Sequence, residues 1–312
     1  MYKDFFGLKR SPFELSPDPY FVLPTAKIKD TLFSVYYAIA QRKGFVVLTG
    51  EVGTGKTLMV RCLLALLKRQ QVRFCNVFNP RLSPLDFLRF VVHDLGIDVA
   101  ESTKANLLQA LYRFLLAQAE KGLTTVLVID EAQQLPLSVL EEVRLLTNLE
   151  TTQQKLLQII LVGQPELDAM LDSYELRQLK QRVAIRCRLQ PLCESDVAVY
   201  VQRRLLLAGA DGYPEIFPPE TISAIFRYSF GLPRIINSLC DHGLLAAYAR
   251  RSKVVSVDMI NEIAAYLRLQ PKPTLLAPER TRTNGNGGEQ AAAKTLLQML
   301  ETLKKEAAGM AR

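Results

Sequence analysis

The segment GEVGTGKT, Gly50–Thr57, has the spacing GxxxxGK[ST]. An apolar run, GFVVLTG (Gly44–Gly50), stands directly before it, and apolar residues at helical spacing follow from Lys56. Strand, loop and helix in that order are the context in which this spacing binds phosphate. Gly50, Gly53 and Gly55 permit backbone conformations that turn amides inward around an anion. The helix that follows aims its positive end at the same point. There Lys56 reaches the β- and γ-phosphates of a nucleotide and the Thr57 hydroxyl coordinates Mg²⁺, while Glu51, Val52, Thr54 and Leu58 complete the cradle.

A second segment, VLVIDEAQ (Val126–Gln133), is an apolar strand ending in two acids. It predicts Asp130 in the shell of the metal and Glu131 orienting the attacking water. In LVGQPEL, Gln164 ends another apolar run and can bond the γ-phosphate or position that water. LRQLKQRVAIRCRL (Leu176–Leu189) holds Arg177, Lys180, Arg182, Arg186 and Arg188 with no acid among them. GLPRIIN (Gly231–Asn237) sets Arg234 at a helix start beside a first-turn proline, within reach of a γ-phosphate.

These residues need a scaffold, and its pattern is legible. Buried strands are expected at Gly44–Gly50, Val72–Phe78, Thr124–Asp130 and Leu156–Gly163, with a shorter fifth at Val183–Leu189. Helices are expected at Lys56–Arg69, Pro84–Leu95, Ala105–Ala119 and Leu137–Leu149. The alternation predicts an α/β fold: a parallel five-stranded sheet sandwiched by helices. After Pro191 the pattern turns all-helical, at Asp196–Leu207, Pro219–Tyr228, Arg234–Arg250 and Val257–Leu267. From Gln270, PKPTLLAP and TRTNGNGGEQ predict a flexible linker, then a short helical tail over Glu289–Ala308. The expected organisation is residues 1–43 as an N-terminal linker and helix packed on the core, 44–191 as the sheet domain, 192–269 as a helical lid, and 270–312 as linker and tail.

Composition narrows the class. The 312 residues are 49% hydrophobic and 22% charged, enough for a sizeable core. No uncharged apolar stretch reaches the roughly 18 residues of a membrane span. The opening MYKDFFGLKRSPFELSPDPYFVL is broken by prolines and acids and does not read as a secretory leader. A cytoplasmic location follows as the expectation. Five scattered cysteines, no CxxC pair and two histidines argue against structural zinc. The net charge of +8 favours anionic partners, whether nucleotide, nucleic acid or a membrane surface.

Taken with MYKDFFGLKRSPFELSPDPYF, LKQRVAIRCRLQPL and GLPRIINSLCDHGLLAAYA, the motifs resemble the AAA+ P-loop NTPases of the ExeA/GspA type over roughly Met1–Leu267. Relatives of that type serve secretion, pilus biogenesis and exosortase-linked export, and more distant ones are the TniB/TnsC transposition ATPases. The resemblance implies ATP and Mg²⁺ as ligands, Gly50–Thr57 as Walker A and Val126–Glu131 as Walker B. It puts Gln164 at the sensor 1 position and Arg234 at sensor 2. Arg182 is the expected arginine finger, acting on a neighbouring subunit of a homo-oligomer, with Arg186 second. It also implies packing of the opening segment against the sheet near the adenine, with Phe5, Phe6, Phe13, Tyr20 and Phe21 buried there. Full-length secretion ATPases of this type continue into a transmembrane helix and a peptidoglycan-binding domain. Because this chain ends after its tail, the expectation is an ATPase recruited to the inner membrane by an envelope-assembly partner. The alternative is a DNA-binding regulator like the transposition ATPases.

Overall fold

A computed structural model describes residues 1–67, 72–77, 82–210 and 216–271. In chain order the helices and strands are α1 Tyr2–Phe6, α2 Ala26–Ala40, β1 Phe45–Gly50, α3 Lys56–Leu67, β2 Val72–Val77, α4 Pro84–Asp94, α5 Lys104–Glu120, β3 Thr124–Ile129, α6 Leu137–Leu146, β4 Leu157–Gly163, α7 Pro165–Leu171, α8 Arg177–Lys180, β5 Ile185–Leu189, α9 Glu194–Leu207, α10 Pro219–Ser229, α11 Pro233–Ala249 and α12 Val257–Tyr266. They form two compact units, with a boundary at Leu189/Gln190.

The sheet unit comprises, among the described residues, 26–51, 59–67, 72–77 and 82–189. Its five strands are all parallel, in the order β2-β3-β4-β1-β5. The central strands β1 and β4 are buried at every residue, which is why they appear in the sequence as unbroken apolar runs. The edge strands differ: β5 alternates, with Arg186 and Arg188 exposed, and charge on an edge discourages pairing with another chain. Phe45, Val47, Leu127, Ile129, Ile159 and Leu161 pack with Phe87, Val91, Leu111, Leu115 and Val143 in one core. Ser83 and Thr103 cap α4 and α5 by accepting from Asp86 N–H and Asn106 N–H, giving orphan donors a partner. Leu32, Val35, Ala38 and Ile39 form the buried stripe of α2, which packs along β5 and β1.

The helical unit comprises Met1–Thr25, Val52–Leu58 and, among the described residues, 190–271. Helices α9 to α12 surround Val197, Val201, Ile225, Ile236, Leu239, Leu244 and Ile260. The opening segment belongs to this core, and this corrects the expected attachment of residues 1–43 to the sheet. Of residues 1–43, the part in the sheet unit begins at Ala26, and α2 packs on the sheet. Phe6 and Phe13 are buried among the lid helices, Phe13 edge-on to Phe217 at 5.9 Å and Phe5 edge-on to Tyr248 at 5.5 Å. Arg204, buried, donates to the Pro12 carbonyl at 2.7 Å and lies 5.0 Å from the Phe21 and Tyr200 rings. Four helices leave an apolar face that the N-terminal aromatics close, and hydrophobic burial, being non-directional, does not favour the sheet over the lid.

Two further elements depart from the sequence reading. Gln164 is the N-cap of α7, a helix that the sequence reading does not include, with Pro165 in its first turn. The strand expected from Val183 begins at Ile185, because α8 and a turn occupy the residues before it. The tail expected over Glu289–Ala308 lies outside the described residues.

Candidate active site

Because the strands are parallel, their carboxyl ends share one edge of the sheet. β4 lies between β1 and β3, with Thr49 opposite Gly163 and Ile129 opposite Leu161. The end of β4 therefore stands between the strand that feeds the phosphate loop and the strand that ends in the two acids. Asp130 continues β3 by donating its N–H to the Val77 carbonyl at 3.1 Å. Glu131 then leaves the strand in the left-handed conformation, φ 53° and ψ 36°, and opens a 3₁₀ turn over Ala132–Gln134. For a non-glycine residue that conformation costs about 1–2 kcal/mol, and such strain concentrates at working sites.

Hydrogen bonds hold this turn in place. Glu131 N–H donates to Asp130 Oδ1 at 2.9 Å. Glu131 Oε2 accepts from Gln133 Nε2 at 2.6 Å and from Gln164 Nε2 at 3.1 Å. Gln133 Oε1 in turn accepts the backbone N–H of Gln164 at 3.1 Å. Thr49 Oγ1, at the end of β1, donates to Asp168 Oδ2 on α7 at 2.7 Å. Thus Asp130, Glu131 and Gln164 come together at one edge of the sheet. Gln133, Asp168 and Thr49 were not anticipated. Only the polarity of Gln133, two residues past Glu131, marked it in the sequence.

Of the phosphate loop, Val52–Leu58 falls in the helical unit, and Gly50 and Glu51 in the sheet unit. Gly53 and Gly55 take φ of 83° and 98°, as expected. Gly50 does not use such a conformation; it stays in β1, paired with Leu189. Thr54 and Lys56 are buried, Thr57, Gly55 and Leu58 are half-buried, and Glu51 and Val52 are exposed. Arg234, at the start of α11, donates its N–H to the Gly53 carbonyl at 3.2 Å. A Cβ on Gly231 would lie 1.9 Å from the Leu192 carbonyl oxygen, so the GLPR turn that carries Arg234 requires glycine there.

The basic run is divided among three settings. Arg177, on α8, lies over the Tyr174 ring at 3.9 Å. Arg186, on β5, pairs with Asp172 at 3.2 Å, and Lys180 pairs with the same oxygen at 2.9 Å. Lys180, then Arg186, hold the Asp172 carboxyl below the usual carboxylate range. Arg182, in the turn after α8, is exposed; its backbone N–H donates to the Leu179 carbonyl at 3.0 Å, and its charge is among those that hold the Glu150 carboxyl down, after Lys155. Arg188 is exposed on β5.

No group of three or more His, Cys, Asp or Glu side chains among the described residues could hold a metal by itself. The Thr57 hydroxyl and Asp130 carboxylate are hard oxygen donors, which suits Mg²⁺, an ion that takes much of its shell from phosphates and water.

The sheet order, the glycine loop after β1 and the acids after β3 define the class: this is a P-loop protein of the AAA+ type, with a helical lid. Residues 39–171 match the family model of the AAA domain. The general secretion pathway protein A of Aeromonas hydrophila is 43% identical over 268 residues, covering 85% of this chain and 48% of the relative. The chain thus spans about half the length of the curated relative it matches. Among solved structures, the Cdc6p of Pyrobaculum aerophilum superposes with a TM-score of 0.62 at 17% identity, over 85% of this chain and 70% of that one. The ORC2 protein of Aeropyrum pernix gives 0.61 at 16% identity, over 82% and 71%. The RuvB branch migration motor of Thermotoga maritima gives 0.52 at 16%, over 77% and 69%. At such identities these three show the fold alone. The chain is an AAA+ ATPase module of the ExeA/GspA type.

Proposed function

We propose that the chain binds ATP with Mg²⁺ and hydrolyses it as a subunit of a homo-oligomeric switch in envelope export or assembly. The observation that carries this is the Glu131 carboxylate, anchored at the carboxyl edge of the sheet by the side chain of Gln164. The phosphates enter the cradle Gly50, Glu51, Val52, Gly53, Thr54, Gly55, Lys56, Thr57 and Leu58, with the Lys56 ammonium on the β- and γ-phosphates. Thr57 and Asp130 hold Mg²⁺, which neutralises charge developing on the phosphates. Glu131 orients the attacking water for in-line displacement. Gln164 turns its amide to the γ-phosphate, and Arg234 follows the nucleotide from the lid.

Arg182 completes the neighbouring subunit's site in this reading. Its exposure supports it over Arg186, whose guanidinium is committed to Asp172. An arginine supplied in trans can raise turnover about 10³–10⁵-fold, so ATPase activity would depend on assembly. The secretion role rests on the 43% identity to general secretion pathway protein A. No helix among the described residues is long and apolar enough to cross a membrane, and we place the protein at the cytoplasmic face, recruited by an inner-membrane partner.

ATP turnover by purified protein tests the chemistry, with Lys56→Ala and Glu131→Gln as probes. Lys56→Ala should not bind nucleotide, and Glu131→Gln should bind ATP without hydrolysing it. Normal turnover by Glu131→Gln would sink the mechanism. Stimulation by DNA with a steep salt dependence would overturn the export role in favour of a nucleic-acid partner.

A further inference from the structure

Gln133 ends the segment VLVIDEAQ without a role assigned to it above, yet it is the middle member of the chain Glu131–Gln133–Gln164. Its orientation follows from its partners. A backbone N–H only donates and an ionised carboxylate only accepts, so Gln133 Oε1 must face the Gln164 N–H and Nε2 must face Glu131. A single planar amide therefore binds the turn after β3 to the start of α7 after β4. The neighbouring backbone makes room for it: a Cβ on Gly163 would lie 2.9 Å from Gln133 Oε1 and 2.8 Å from Leu167 Cδ2. Glu131 sits in a left-handed conformation that its surroundings must maintain.

We propose that Gln133 is a positioning residue for ATP hydrolysis: it holds Glu131 in the water-orienting pose and fixes Gln164 beside it. This rests on the reading that Glu131 orients the attacking water. In the structure Glu131 Oε2 receives two amides, from Gln133 and from Gln164. When Gln164 turns to the γ-phosphate, its bond to Glu131 is released. Gln133 then remains as the donor on that carboxylate, and through its Oε1 it still holds the Gln164 backbone. Pre-organisation of the acid therefore survives the exchange.

The test is turnover by two variants of the full chain. Gln133→Met keeps length and removes both bonds. Gln133→Glu keeps size and the acceptor for Gln164 N–H, but sets a second carboxylate against Glu131. A hydrogen bond to a charged group is strong enough that kcat should fall about 10- to 100-fold in Gln133→Met, and further in Gln133→Glu. KM for ATP and affinity for a slowly hydrolysed ATP analogue should stay within about twofold, since the phosphate loop is untouched. Equal kcat in wild type and either folded variant would overturn the positioning role. So would parallel loss of kcat and analogue binding, which marks general disruption. If Gln133→Met does not fold, Gln133→Glu decides alone, through the same split. Glu131→Gln separates the two readings: wild-type turnover there defeats the catalytic assignment itself, whereas a dead Glu131→Gln beside a normal Gln133→Met defeats only this inference.

Discussion

The backbone N–H of Arg234 donates to the carbonyl of Gly53 at 3.2 Å, and a Cβ on Gly53 would lie 2.9 Å from the Arg234 Cβ. The lid arginine and the phosphate loop thus share a contact that leaves no room for a side chain on the loop. With φ at 83°, Gly53→Ala should cost about 1–2 kcal/mol from the left-handed backbone, and the close contact adds to it. A lower unfolding midpoint and weaker nucleotide affinity are the expected results, read by thermal melting and titration with a fluorescent ATP analogue.

Gly163→Ala reaches the same chemistry from the other side. The added methyl displaces Leu167 or the Gln133 amide, and the Glu131 carboxylate loses its support. Turnover should fall about 10-fold or more, the effect of roughly 1.4 kcal/mol in the barrier, while analogue binding persists. Steady-state kinetics beside equilibrium binding checks it.

Arg182→Ala subunits mixed with wild type should poison the assembly. If Arg182 serves a neighbour, activity falls more steeply than the mutant fraction. A strictly proportional fall across a mixing series would remove the trans role. Arg186→Ala, which breaks the pair with Asp172, should give only that proportional fall.

Phe6 is buried at 0% exposure in the core of the helical unit. Phe6→Ala should therefore destabilise that unit by about 3–5 kcal/mol and free the first 25 residues to protease. Limited proteolysis with mass spectrometry, alongside urea unfolding, reads both effects.

The cysteines should react in a fixed order. Burial pushes the Cys187 thiol up to about 11 and raises Cys240 well above the ordinary thiol range. At pH 8 both are held as thiols, and the thiolate is the nucleophile. Cys193 is exposed, and iodoacetamide should label it first. Raising the pH toward 11 should bring Cys187 into reaction while the protein stays folded. Cys187 stabilisation is present below the unfolded thiol value near 9 and is lost as pH rises from there through about 11.

The phosphate loop, the acids after β3 and the strands β1, β3 and β4 were legible because their determinants are local. Glycines that must adopt positive φ, a lysine at fixed spacing and unbroken apolar runs carry their meaning within a dozen residues. The helices of the lid were legible for the same reason, by their periodicity. Helix α7 was not, because a Gln-Pro pair fits a turn as well as a helix start, and only packing of Leu167 and Leu171 in the sheet core selects the helix.

Tertiary structure decided the rest. That Phe6 and Phe13 would be buried was plain from their type; that lid helices would bury them was not, since apolar surfaces attract without direction. That Gln164 would meet Glu131 depended on β4 lying between β1 and β3, a strand order that no local pattern encodes. That Gln133 would join them depended on a left-handed turn at a glutamate, a conformation its own side chain disfavours and its neighbours enforce. The sequence by itself determined which residues could do chemistry on a phosphate. Only the folded chain decided which amide holds the acid, because a hydrogen bond needs its donor and acceptor within about 3 Å, and residues 31 positions apart reach that distance only through the sheet.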